Sequence, residues 1–267
     1  MIIASICVVY DPTLMWGFRG LVSVVSLSLA IYMLWRCTGD PGFLTVPEIE
    51  LSEEIATNQR PRLELPIKSR SEQVEDSVEL RFCTMCQLTQ PIRTKHCSDC
   101  NACVRTYDHH CPWIGTCVGE RNRHLFLVYL WCEVGVLMWF IVNALSGIVE
   151  HAGDRSKLVP MALLIFSIMV MSVFLLMTGL LGVYHVFLCI TNLTTWEHSS
   201  WDRITYLDNL RETRGSPFAH HTLMGNVWMY FGYDGWIQRD TQGWIVWRLG
   251  KQHRIVPHFC RNCCDSC

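Results

Sequence analysis

An all-α integral membrane bundle carrying a small cysteine-rich domain is the fold class this sequence predicts, and three observations predict it. Half of the 267 residues are apolar and only 17% are charged, against roughly a quarter charged in a soluble domain. Three long apolar runs each reach the ~20 residues that a spanning helix needs. Seven cysteines and three histidines crowd between Cys83 and Cys117. The formal net charge of −2 offers no field that would recruit nucleic acid, so that partner class is set aside.

The chain opens on Met1 to Tyr10, an apolar stub of only ten residues. It is too short to cross a membrane and lacks the basic start of a signal peptide. Leu14 to Trp35, Leu125 to Val149 and Leu158 to Ile190 are the three complete spans. Pro47 to Glu79 is rich in Glu, Ser, Arg and Pro without a sustained apolar period. It reads as an extended or mobile connection. Lys and Arg number eleven in residues 36–124, eight in 191–267 and two in 150–157, with Arg19 inside the first span. Basic loops stay cytosolic, so the cysteine-rich loop and the tail, an even number of spans apart, both face the cytosol. The predicted organisation is an N-terminal stub with the first complete transmembrane helix (1–42), a cytosolic linker (43–82), a cysteine-rich domain (83–124), two transmembrane helices (125–190) and a cytosolic C-terminal region (191–267).

Fifteen cysteines suit either a disulfide framework or metal sites in a reducing compartment. Their ligand-like spacing and interleaved histidines favour thiolates on zinc. Two tetrahedral sites take eight of the ten candidate ligands. The pairs Cys83 with Cys86 and Cys97 with Cys100 are natural knuckles. His96 with Cys103, and His110 with Cys117, complete them in interleaved order. His109 and Cys111 then remain, directly after Asp108: an imidazole, a thiol and a carboxylate, the parts of an activated nucleophile. Counting leaves Cys111 and Cys117 interchangeable, and leaves open a purely structural zinc module. A RING-type ubiquitin ligase is disfavoured, because the segment ends on the single Cys117 and not on a final CxxC pair. No internal repeat beyond the knuckles is read from the sequence.

The stretch from Cys83 to Tyr129, containing Asp108-His109-His110-Cys111-Pro112-Trp113, resembles the cysteine-rich domain of the DHHC-type protein S-acyltransferases, the palmitoyltransferases. Asp40-Pro41-Gly42, Thr194-Thr195-Trp196-Glu197 and Ser216-Pro217-Phe218 with Asn226 are similar to further elements of that family. Within it the likeness is to a short Golgi and endoplasmic reticulum member. The resemblance implies that Cys111 takes an acyl group from a long-chain acyl-CoA (palmitoyl-CoA) and hands it to a cysteine near the membrane in a protein substrate. His109 is implied as base, Asp108 as its orienting carboxylate, and the eight counted ligands as holders of two structural Zn2+. Thr194, Thr195, Glu197 and Asn226 are implied as supporting residues. Thr194 with Glu197 also fits a helix capping box, Asp40-Pro41-Gly42 a plain turn, and Asn226 a hydrogen-bonding anchor. The family pattern has four spans, and the stub stands where the first belongs. That opens the alternative of a catalytically impaired membrane zinc scaffold. Cys260, Cys263, Cys264 and Cys267 lie outside the resemblance and read as a disordered end. His124, His151, His185, His198, His220 and His221 read as surface or packing residues.

Overall fold

The computed structural model describes residues 17–44, 81–204, 206–207, 216–220 and 222–232. The stub, most of the linker, His221 and the terminal cysteine cluster lie outside them. The chain divides into two compact units, residues 1–39 with 122–190 and residues 40–121 with 191–267.

The first unit is helical. Helix α1 (Phe18–Cys37), α2 (Arg123–Glu150) and α3 (Leu158–Thr191) are each long and apolar enough to cross a membrane. The ends of the expected spans fall within four residues of these bounds, and the start of the third coincides at Leu158. On α2, Val136, Phe140, Ala144 and Gly147 form a buried stripe at helical spacing. Ala30 of α1, Val136 and Phe140 of α2 and Met171 of α3 make the packed centre. Trp139 Nε1 donates to Ser23 Oγ at 2.9 Å, tying α2 to α1. Trp131 lies 3.5 Å from where a Cβ on Gly182 would stand, so α3 gives up a side chain to seat the indole. Only 11% of the most apolar window of α3 is buried, so its large apolar side chains need lipid as their solvent. At 34 residues it rises about 50 Å, beyond the ~30 Å hydrocarbon layer, so it tilts or projects past it. His185 is buried, its ring edge-on to Phe126 at 5.1 Å.

The second unit is built from three antiparallel hairpins: β1 (Phe82–Cys83) with β2 (Leu88–Thr89), β3 (Lys95–Cys97) with β4 (Ala102–Val104), and β5 (His109–Cys111) with β6 (Thr116–Val118). Each turn carries one residue in the left-handed region, Gln87, Asn101 and Gly115. Asp40-Pro41-Gly42 is a turn, closed by the Gly42 and Phe43 N–H groups on Asp40 Oδ1, and it leads Phe43 into a bridge with Val104. Gly119 is required there. A Cβ would stand 2.6 Å from the Pro41 carbonyl and 2.7 Å from Val104. Among the described residues this unit also holds two short α-helices, α4 (Thr195–Ser199) and α5 (Leu223–Tyr230).

Candidate active site and metal centres

The hairpins share one plan. Cys83, Cys97 and Cys111 stand fourteen residues apart, each paired with the residue five further on: Leu88, Ala102 and Thr116. The second knuckle position holds Cys86, then Cys100, then Ile114. The cross-strand pair before each knuckle is Phe82 with Thr89, then His96 with Cys103, then His110 with Cys117. The knuckle of one hairpin meets the His/Cys pair of the next. Cys83, Cys86, His96 and Cys103 bring their ligand atoms within 4.8 Å of one another, and so do Cys97, Cys100, His110 and Cys117. The third knuckle has no following hairpin, and Ile114 replaces its second cysteine. Sequence reading missed this period. The signal was present, because aligning the three cysteines at a fourteen-residue offset superposes both ligand pairs.

Strand alternation sorts the residues of β5. Neighbouring side chains point to opposite faces, so His110 sits with Cys117 on one face while His109 and Cys111 share the other. Register therefore separates the two cysteines that counting left interchangeable.

The donor sets suit a tetrahedral ion. Zn–S near ~2.3 Å and Zn–N near ~2.0 Å place sulfur about 3.8 Å from sulfur and about 3.6 Å from nitrogen. His110 Nδ1 stands 3.6, 3.4 and 3.7 Å from the sulfurs of Cys97, Cys100 and Cys117, and Cys100 Sγ lies 3.5 Å from Cys117 Sγ. In the other cluster His96 Nδ1 stands 3.2 Å from Cys86 Sγ and 3.9 Å from Cys103 Sγ. Burial and the adjacent thiols push Cys103 up to about 12 and Cys117 upward as well. Thiolates packed this way need a cation between them.

Asp108 is buried, with Oδ1 2.7 Å from His109 Nδ1. Its other oxygen accepts the Thr195 N–H at 3.0 Å, and its carbonyl accepts the Trp196 N–H at 3.1 Å. The first turn of α4 thus holds Asp108 with N–H groups that have no partner within the helix, Thr195 on the carboxylate and Trp196 on the backbone carbonyl. Burial opposes charge on His109, but the bond to Asp108 and the contact with Cys111 outweigh it, and the imidazole is pushed up to about 9. Burial also pushes the Cys111 thiol up, whereas His109 and the Ile114 and Trp113 N–H groups hold it below the usual thiol range. The same knuckle turn directs N–H groups from Cys86 and Met85 at Cys83, a member of the first cluster that could hold a metal, and others at Cys111, which belongs to neither cluster.

Helix α4 is fixed in turn. Thr194 and Glu197 form a reciprocal capping box. Glu197 also receives Arg93 through two N–H···O bonds of 2.7 Å, both side chains fully buried. Tyr206 adds a 3.0 Å bond to Glu197, Arg93 Nη1 reaches Asn192 Oδ1 at 3.3 Å, and the Phe218 ring lies 4.4 Å from the guanidinium carbon. Asn226 is an anchor: its Oδ1 accepts the His220 N–H at 2.5 Å. Arg93 and Tyr206 were not singled out from sequence, where nothing local sets them apart; Asn192 stands out there only as the head of Asn192-Leu193-Thr194, a glycosylation sequon in form.

The family model described as DHHC palmitoyltransferase matches residues 76–202. Palmitoyltransferase ZDHHC12 of Homo sapiens is 39% identical over 213 residues, covering 76% of this chain and 73% of that protein. Its Mus musculus counterpart is 37% identical over 195 residues, covering 73% and 67%. Palmitoyltransferase ERF2 of Eremothecium gossypii is 36% identical over 187 residues, covering 68% and 49%. The chain belongs to the DHHC palmitoyltransferase family. As a DHHC palmitoyltransferase it is an enzyme, and helices long and apolar enough to cross a membrane, three of them among the described residues, mark it as an integral membrane protein. The Asp-His-His-Cys run that names the family is the strand β5 with Asp108 immediately before it.

Proposed function

We propose that the chain is a protein-cysteine S-acyltransferase that carries a long-chain acyl group, palmitoyl above all, from acyl-CoA on Cys111 to a membrane-proximal cysteine of a protein substrate. The observation that carries this reading is the pairing of a lowered thiol with a raised imidazole on one face of β5, with Asp108 fixing the imidazole. The thiolate of Cys111 attacks the thioester carbonyl and the bond to the CoA sulfur breaks. His109, held as imidazolium, gives its proton to the departing thiolate. In the second half the substrate thiol returns a proton to His109 and its sulfur attacks the acyl-enzyme. Cys111 leaves as a thiolate, paired again. Asp108 stabilises the imidazolium and fixes which ring nitrogen faces the sulfur.

Cys83, Cys86, His96 and Cys103 hold one zinc ion in this reading, and Cys97, Cys100, His110 and Cys117 another. Bound zinc supplies cross-links between hairpins and takes no part in the transfer. The donor's acyl chain prefers lipid and its nucleotide prefers water, each methylene contributing ~0.8 kcal/mol, so catalysis belongs at the membrane boundary. The distribution of basic residues supports a cytosolic site, and the likeness to ZDHHC12 supports a Golgi or endoplasmic reticulum membrane.

Purified chain given labelled palmitoyl-CoA should form a hydroxylamine-labile adduct on Cys111. Cys111→Ser should form no such adduct and keep two zinc ions per chain. Loss of one zinc from that variant would make Cys111 a ligand and reverse the assignment.

A further inference from the structure

Lys95 opens β3, two residues before Cys97 and one before His96. Alternation along the strand puts Lys95 on the face of Cys97, a member of the second cluster, while His96 turns to the first. Its Nζ stands 4.9 Å from the ring centre of Tyr107 and 5.4 Å from that of Trp196. Those two rings meet edge-on at 6.1 Å and form a corner for the ammonium. Among the described residues no carboxylate lies within ion-pair distance of Lys95. Burial holds its ammonium below the usual lysine range and Arg203 and Arg81 add to that, whereas the sulfurs of Cys97 and Cys117 act in the opposite sense.

A dication bound by three thiolates and a neutral imidazole keeps one net negative charge. The first cluster meets that charge with neutral donors: Gln90 Nε2 gives an N–H to Cys103 Sγ at 3.2 Å, and the Cys86 N–H points at Cys83 Sγ at 3.4 Å. Lys95 stands on the second cluster's side with no anion of its own. We infer that Lys95 is the counter-charge of the second metal centre, held in the corner of Tyr107 and Trp196 so that the thiolates of Cys97, Cys100 and Cys117 retain their ion. The inference rests on the zinc assignment proposed above. Trp196 belongs to α4, so the helix that grips Asp108 also closes this counter-charge in.

The test uses the zinc-loaded full chain in detergent, challenged with excess chromophoric chelator while newly opened thiols are alkylated and located by peptide mass. Partners outside the ligand set change metal affinity by about 10-fold to 100-fold. Lys95→Gln should therefore speed zinc loss and alkylation at Cys97, Cys100 and Cys117 by that factor, leaving Cys83, Cys86 and Cys103 as in wild type. Lys95→Arg should behave as wild type, and Gln90→Leu should show the reverse pattern. Trp196→Leu loosens the corner without touching charge or ligands, and should move the second cluster in the same direction by less. Should Lys95→Gln fail to accumulate, this variant decides. Release at the wild-type rate, or equal opening of both clusters, in Lys95→Gln or Trp196→Leu overturns the inference. So does a Lys95→Arg that loses zinc as Lys95→Gln does. A wild-type chain holding fewer than two zinc ions sinks the metal assignment itself.

Discussion

Arg93→Met removes one member of a fully buried ion pair and leaves the other. Glu197 loses two N–H···O bonds of 2.7 Å and its ion-pair partner, keeping the Thr194 N–H at 2.8 Å and the Tyr206 hydroxyl at 3.0 Å. Breaking such a pair costs about 3–5 kcal/mol, because the survivor stays desolvated. At ~1.36 kcal/mol per factor of ten, that moves the balance between docked and undocked α4 by roughly two to four orders of magnitude. The first casualty is the grip of Thr195 and Trp196 on Asp108. Arg93→Met should therefore lower the thermal midpoint and slow acyl-enzyme formation together. Adding Glu197→Leu should recover much of the stability, because an apolar pair of similar volume avoids the desolvated charge. Recovery stays incomplete by ~1 kcal/mol for the lost capping box. Thermal unfolding of the four members of this cycle, with zinc content measured alongside, reads the coupling. The reasoning fails if Arg93→Met unfolds within about 1 kcal/mol of wild type, or if the double variant is as unstable as the two single effects added.

Ile114→Cys would restore a CxxC knuckle in the third hairpin and offer Cys111 a competing partner; acyl adduct should vanish while two zinc ions remain, and free-thiol counting with and without reductant shows whether a disulfide has formed. His109→Ala should slow single-turnover acylation near neutral pH by ~100-fold to 10,000-fold and Asp108→Asn by less, both with full zinc. Wild type should hold a level rate from the lowered Cys111 value up to about 9, where His109 loses its proton; His109→Ala should instead climb with pH as its thiolate forms unaided, and wild-type rates or a missing zinc in it would refute the role. Cys86→Ala and Cys100→Ala each open one cluster whose binding energy is folding energy, so both should reduce folded yield and zinc content; wild-type values in either would mean the knuckles are not paired as proposed.

The long apolar helices and the two clusters that could hold a metal were legible because they rest on local signals: length and apolarity for the helices, spacing and residue type for the clusters. The choice between Cys111 and Cys117 was not, because counting carries no direction. Register supplies it, by facing His110 with Cys117 across β5 and β6. The support beneath the dyad was hidden for another reason. Arg93 and Glu197 lie 104 residues apart, and an arginine in a polar loop has no pattern that marks it as buried. The sequon Asn192-Leu193-Thr194 also changes meaning. Asn192 is fully buried with a left-handed backbone, and its Nδ2 donates to the Phe218 carbonyl at 2.8 Å. The folded chain therefore presents no acceptor amide there, whichever side of the membrane it occupies.

The fourteen-residue relay gives the module an order of assembly. A nascent chain emerges from its N-terminal end, so Cys83 and Cys86 reach solution as a half-site that cannot close until Cys103 has followed. Cys97 and Cys100 wait in the same way for Cys117. Metal loading in the proposed sites would therefore be vectorial, and the strand of Cys111 would be the last to be clamped. A chain exposed as far as residues 111 to 116 would hold one complete donor set, a second still lacking Cys117, and the Cys111 thiol without the strand that pairs with it.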